Sequence, residues 1–312
     1  MFGRLGILLF STLFFLSFSW PESHSDPRIQ KTFARMYDSI HAIKSLRQDI
    51  LAIERVENAM LINRSKIKLQ TNPRKVYFIN PSKKLEILFN AEMQTDKALV
   101  KPHIFPYVSM QLDPRGNIMR KNQHYTIMEL GYEFIGRSIA LTISKDKEGL
   151  TNFTYKGKVQ KNGYSCHLIE YENKHYAYVD YKVGERETAT SIALKLCVND
   201  YLLRCNNDLL NEFGYLKKGR ILKVPNLYCQ KAVLFIDDHL ALPVALSLYD
   251  DKGLFESYEY TNVQVNVPIS PVEFLKTYKD YNFWLQFFVV KLWNPPLAQY
   301  FSCQLLKKIK YR

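Results

Sequence analysis

The chain has 312 residues, 47% of them hydrophobic, which is ample for a packed core and leaves room for two domains. Aromatic residues make up 14%, with 21 Tyr and 19 Phe, a bias toward strands. The formal charge of +13 implies an acidic neighbour or a solvated basic surface, and five Cys without C-x-x-C spacing argue against a redox or zinc centre.

At the N-terminus Arg4 precedes an apolar run from Leu5 to Phe18, and Ser17-Phe18-Ser19 offers small residues to a peptidase. This reads as a secretory signal peptide over residues 1–19, too short to span a bilayer. The expected location is therefore outside the cytoplasm, in the periplasm or cell envelope, and nucleic acid drops out as a partner. No Cys follows the run, which argues against lipoprotein processing at this end. Export permits disulfides among Cys166, Cys197, Cys205, Cys229 and Cys303. Five is odd, so at least one thiol stays unpaired in the monomer, and spacing does not choose a pairing.

A helix is predicted from about Arg28 to Ala42, with Phe33, Met36, Tyr37 and Ile40 on one face. The apolar period then shortens. Ile67 and Leu69, Val76 and Phe78, and Leu85, Ile87 and Phe89 alternate, interrupted by turns at Asn72-Pro73 and Asn80-Pro81. Such spacing predicts an antiparallel meander with one wet face. After the turn Asp113-Pro114-Arg115-Gly116, the residues Ile127, Leu130, Phe134 and Ile135 predict a second helix, Tyr125 to Phe134. Strands return at Phe153–Val159, Tyr164–Leu168 and Tyr176–Tyr178, and again at Ala232–Ile236, Pro243–Leu248 and Phe255–Asn266. Asp250-Asp251-Lys252-Gly253 marks a hairpin turn between the last two. Residues 284–312 combine apolar, aromatic and basic residues. Packing on the sheet is one role for this extension, and peripheral contact with anionic headgroups is another.

No catalytic motif emerges: G-x-S-x-G, H-E-x-x-H and Gly-rich phosphate loops are all missing from the sequence. Asp237-Asp238-His239 reads as solvated turn residues, and Cys166-His167 as strand neighbours facing opposite ways. His124 reads as a helix-start or core histidine. No enzyme activity, no cofactor and no metal site is expected.

Several segments carry a family resemblance. They are T-F-A-R-M-Y-D-S-I (Thr32–Ile40), K-A-L-V-K-P (Lys97–Pro102), Gln111–Tyr132, Leu234–Val244 and Leu248–Tyr260. Together they resemble the uncharacterised bacterial family called domain of unknown function 1571, with a lipoprotein-carrier fold of the LolA/LolB kind. The resemblance implies an α+β fold. A strongly curved antiparallel β-sheet forms an incomplete barrel, helices lie on its concave side, and an acyl chain is the expected cargo. This discontinuous domain would occupy residues 28–180 and 229–283.

The intervening Tyr181 to Pro225 reads as strand, polar turn, two helices and strand, and resembles a LysM domain, giving a small βααβ insert over residues 181–228. Thr188, Ser191, Ile192 and Ala193 fall where the family has T-x-x-S-I-A, and Arg186 stands where its turn usually has Gly. The resemblance implies glycan binding by Glu187, Thr188 and Ala189 facing Asn206, Asn207, Asp208 and Leu209. Peptidoglycan or another N-acetylated glycan would be the partner. The functional expectation is a non-enzymatic envelope protein that carries a lipid or lipoprotein acyl chain near peptidoglycan. The alternative is a peptidoglycan-associated scaffold whose barrel is filled.

Overall fold

The computed structural model describes residues 25–93, 95–105 and 107–283; the predicted signal peptide, the extension 284–312 and Cys303 lie outside them. Helix α1 (Pro27–His41) begins where Asp26 accepts a hydrogen bond from the Arg28 amide and Pro27 presets the first helical φ. It buries Ile29, Phe33, Met36 and Ile40. Six strands follow: β1 (Ser45–Val56), β2 (Ala59–Gln70), β3 (Lys75–Asn80), β4 (Leu85–Asn90), β5 (Ala98–Pro102) and β6 (Met110–Leu112). Two helices come next, a single turn α2 (Asn117–Arg120) and the longer α3 (Glu133–Lys145). The chain then forms β7 (Phe153–Lys161) and β8 (Tyr164–Glu172).

A small unit interrupts the meander. Strand β9 (Tyr178–Lys182) pairs antiparallel with β10 (Ile221–Pro225), and α4 (Ala189–Leu196) and α5 (Asp200–Cys205) lie between them in sequence. Its own core includes Val183, Ile192, Leu203 and Leu222. Three further strands complete the main sheet: β11 (Lys231–Asp237), β12 (Pro243–Asp250) and β13 (Gly253–Val265).

The eleven strands of the main sheet run in the order β6-β5-β4-β3-β2-β1-β13-β12-β11-β8-β7, with every neighbouring pair antiparallel. The sheet is curved and not closed, with β6 and β7 as its outer strands. Strands from β5 to β7 contribute to one apolar cluster together with α1 and residues of α3, so the helices occupy the concave side. On the opposite face, Tyr281 stacks on Tyr77 with ring centroids 3.8 Å apart, and Phe283 joins them.

The second helix is displaced from its predicted place. Tyr125–Tyr132 is not helical; α3 starts at Glu133, two residues after Gly131 with φ +100°. The Thr126 amide and hydroxyl both donate to Glu129 Oε2, at 2.8 and 2.7 Å, closing a local turn instead of a helical one. Strand pairing also assigns Tyr178 to the two-stranded sheet, while Tyr176 lies outside any strand.

Candidate ligand cavity

Residues of one parity on β1 point into the concavity, and Gln48, Ile50, Ala52 and Glu54 all line a cavity of about 270 Å³. Leu246 and Leu248 of β12, Ala232 and Leu234 of β11, and Tyr258 and Tyr260 of β13 continue this wall. Phe134, Ile135 and Ile139 of α3 cover it, joined by Met119, Ile127 and Leu130. The inner side chains therefore do not fill the hollow. Ala52, Ala232 and Ser138 are small residues on its wall, which leaves space that Leu or Phe would occupy. Ile118 lines the cavity while 67% exposed, and the exposed Lys83 lines it too, so the mouth opens beside α2 and the β3–β4 turn.

One end of the cavity is polar. The Tyr258 hydroxyl donates to Glu54 Oε1 at 2.5 Å. Behind it, Glu256 Oε1 accepts from the Tyr125 hydroxyl at 2.5 Å and from Tyr228 at 3.2 Å, and those two tyrosine hydroxyls also bond each other. Burial pushes all three phenols well above their ordinary range, so they act as donors to the carboxylates.

His124 completes the cluster without reaching the cavity. Its Nδ1 lies 2.7 Å from Glu256 Oε2, and its Nε2 lies 3.0 Å from the Arg55 carbonyl. Because a carbonyl only accepts, Nε2 carries a proton. The ring lies between Tyr201 and Phe255, with centroids 4.9 and 4.4 Å away. Burial pushes its pKa down, but the Glu256 carboxylate outweighs that and the net shift is upward.

The residues assigned to glycan binding flank the two helices of the small unit. Glu187 accepts from the Tyr181 hydroxyl (2.8 Å), the Gly184 amide (2.7 Å) and Lys195 (3.1 Å). Thr188 caps α4 by accepting from the Ser191 amide, while Ala189 and Leu209 are buried. The Asn207 amide donates to Leu203 and Lys223 carbonyls, and its Oδ1 accepts from the Lys223 amide. Asn206 caps the end of α5, and Asp208 is exposed with φ +56°. Arg204 ties the two sides together: its guanidinium donates to Thr190 Oγ1 at 2.9 Å and to the Leu209 carbonyl at 3.4 Å. Arg186 has φ +54°, a left-handed conformation that Gly adopts more readily than other residues.

Sequence reasoning missed Glu54, Glu256, Tyr125, Tyr228 and Tyr258. The signal was present in parity: Glu54 shares its face with Leu46, Ile50 and Ala52, and Glu256 with Tyr258 and Tyr260. Four described cysteines are free, and three of them, Cys166, Cys197 and Cys229, are buried. Burial raises the Cys166 thiol to about 11, which makes it a poor nucleophile. Asp238 is held well below the usual carboxylate range by Lys158, with His167 and Arg35 also bound to it.

Residues 44–185 match the sequence model of the family described as Protein of unknown function (DUF1571). The DUF1571 match contains Glu54, His124 and Tyr125 but stops before Tyr228, Glu256 and Tyr258. The resembling stretches at Thr32–Ile40, Leu234–Val244 and Leu248–Tyr260 lie beyond it. Among solved structures, the Mycobacterium tuberculosis lipoprotein LppX is similar at 15% identity and TM-score 0.38, over 79% of this chain and 99% of that one. LprF from Mycobacterium bovis is similar at 11% identity and TM-score 0.41, over 79% and 97%. A DUF1329 family protein from Desulfovibrio piger aligns at 10% identity and TM-score 0.29, over 79% and 96%. No curated protein sequence matches this chain.

Proposed function

We propose that this protein is a non-enzymatic, exported envelope protein that holds an acyl chain in its concave cavity. The cargo is a free lipid or the lipid of a modified partner. The open space of about 270 Å³ between the sheet and α3 carries this reading. It sits near the lower edge of the ~300–1,000 Å³ range of ligand sites, and its wall is mostly apolar. Each methylene moved into such a wall contributes about 0.8 kcal/mol, so six contribute about 5 kcal/mol before ordering costs. Native mass spectrometry of protein purified from membrane-containing cells, paired with uptake of a fluorescent fatty acid, tests the reading. Bound lipid mass or saturable uptake is expected; bare polypeptide with no uptake removes the carrier role.

The segment Tyr181–Pro225 is the proposed tether to peptidoglycan or another N-acetylated glycan, through Glu187, Thr188 and Ala189 on one side and Asn206 to Leu209 on the other. Its strand–helix–helix–strand order and the Arg204 bridge between the two sides support this. The Asp208 side chain is exposed and its φ is +56°, so Asp208→Gly removes the side chain without straining the backbone or disturbing the packed residues. Retention on insoluble peptidoglycan that weakens in this variant is the expected result; equal elution from peptidoglycan and from a cellulose control removes the tether. Retention without any lipid uptake favours the scaffold reading.

A further inference from the structure

The mostly apolar wall of the cavity contains a carboxylate, Glu54, with no salt-bridge partner among the described residues. Glu54 is only 7% exposed, lines the cavity, and receives one hydrogen bond, from Tyr258 to Oε1. Its Oε2 takes no bond from any described residue. Directly across the β1–β13 ladder stands Glu256, so two carboxylates face the same interior. The buried imidazole of His124 is committed to Glu256 at 2.7 Å. That commitment leaves Glu54 with only the longer-range charge of Lys83 at the mouth.

None of the other described charges around the cavity forms a salt bridge with Glu54. Glu129 lies 3.8 Å from Arg120 and accepts from Thr126. Lys83 stands exposed at the mouth, with its ammonium 3.4 Å from Gln123 Oε1; it attracts Glu54 through space but makes no salt bridge with it. The phenolic protons of Tyr125 and Tyr258 already point at carboxylates, so their free lone pairs can only accept further bonds. An anionic head placed here would meet a carboxylate and hydrogen-bond acceptors. A cationic donor would meet partners for its charge and its protons.

We propose that the cavity selects an amphiphile with a protonated amine head, seated on Glu54 with its alkyl chain along the Leu234, Leu246 and Ile135 wall. This rests on the cavity reading above and names the ligand class for that site. Selection for a cation is specific evidence, because the protein carries +13 overall and its general field attracts anions.

The test is isothermal titration of the purified protein at neutral pH with dodecylamine, dodecanoate and dodecanol, each below its micelle concentration. The amine is expected to bind at least about tenfold tighter than dodecanoate. Glu54→Gln keeps an acceptor for Tyr258 and is expected to bring the amine to within about twofold of dodecanol. Equal or tighter binding of dodecanoate overturns the proposal, as does an undiminished amine preference in Glu54→Gln. Where Glu54→Gln does not fold, Tyr258→Phe keeps the charge, and loss of the preference in that variant overturns it equally. Uptake of dodecanoate without dodecylamine defeats only the amine head; failure of all three ligands defeats the cavity reading itself.

Discussion

His124 is enclosed by groups that make its charge useful and its removal costly. Glu256 faces Nδ1, the Arg55 carbonyl faces Nε2, and Tyr201 and Phe255 cover the two ring faces. Asn199 also donates to Glu256, at 3.4 Å. His124→Ala strips the buried carboxylate of its counter-charge, and urea unfolding is expected to show a loss of about 3–5 kcal/mol. The pair also sets a pH dependence. Because folding raises the His124 pKa, its contribution is fully present below the unfolded value of about 6.5 and is lost as pH rises through the higher folded value. Stability at alkaline pH should therefore fall more in the native protein than in a His124→Phe variant.

Glu273 gives the opposite sign. Arg47 and Lys68 donate to it at 2.8 and 2.7 Å, with Arg47 the main cause, and hold its pKa at about 2 against an ordinary 4.5. That stabilisation is present above pH 4.5 and is lost as pH falls toward 2. Glu273→Gln is expected to remove about 2 kcal/mol at neutral pH and to flatten the acid limb of the unfolding curve. At this scale the sequence is eloquent about apolar residues, and for Glu54 and Glu256 it offers only their strand parity. A glutamate in an alternating strand is read as facing solvent, and only the partners supplied by distant elements make an inward one tolerable.

Among the elements, α1 and the long hairpins follow from local pattern, whereas α3 does not. Apolar spacing at Ile127, Leu130, Phe134 and Ile135 fits one helix, yet the chain uses the first two to wall the cavity and the last two to begin α3. Gly131 makes the break. Its φ of +100° is one that L-residues rarely adopt, and a Cβ there would lie 2.9 Å from Leu69 Cδ2. Gly131→Ala is expected to cost about 1–3 kcal/mol, read as a lower melting temperature, and to loosen the cavity wall. The small unit is bound to this same region. Arg120 donates to Asp200 at 2.9 Å, and the Glu57 amide donates to the Tyr201 hydroxyl at 2.6 Å. Deleting the whole unit would therefore uncover His124, which is why the tether is better tested by a substitution on its exposed loop.

For the whole molecule, the decisive quantity is the volume left between the sheet and its helical cover. Ala52 stands near the middle of the cavity wall on β1. Ala52→Trp is expected to occupy the space and weaken binding of every alkyl ligand, whatever its head group, by at least about tenfold. Overpacking sets the limit on stability, a loss of about 1–3 kcal/mol. A binding titration beside a thermal melt separates the two effects. Unchanged ligand affinity in this variant would place the ligand elsewhere on the protein.

The sequence alone determined the α+β class, the first helix, the alternating strands with their turns, and the strand–helix–helix–strand order of Tyr181–Pro225. Each follows from interactions within a few residues: helical period, strand alternation, caps and turn chemistry. The curved, open sheet was implied by the family resemblance and is what the structure shows; only the tertiary structure decided that α3 starts beyond Gly131 and that a carboxylate-bearing hollow remains beneath it. Those features depend on how side chains far apart in the chain share one interior. Whether volumes fill a space, and whether a buried charge finds its partner, are properties of the assembled fold.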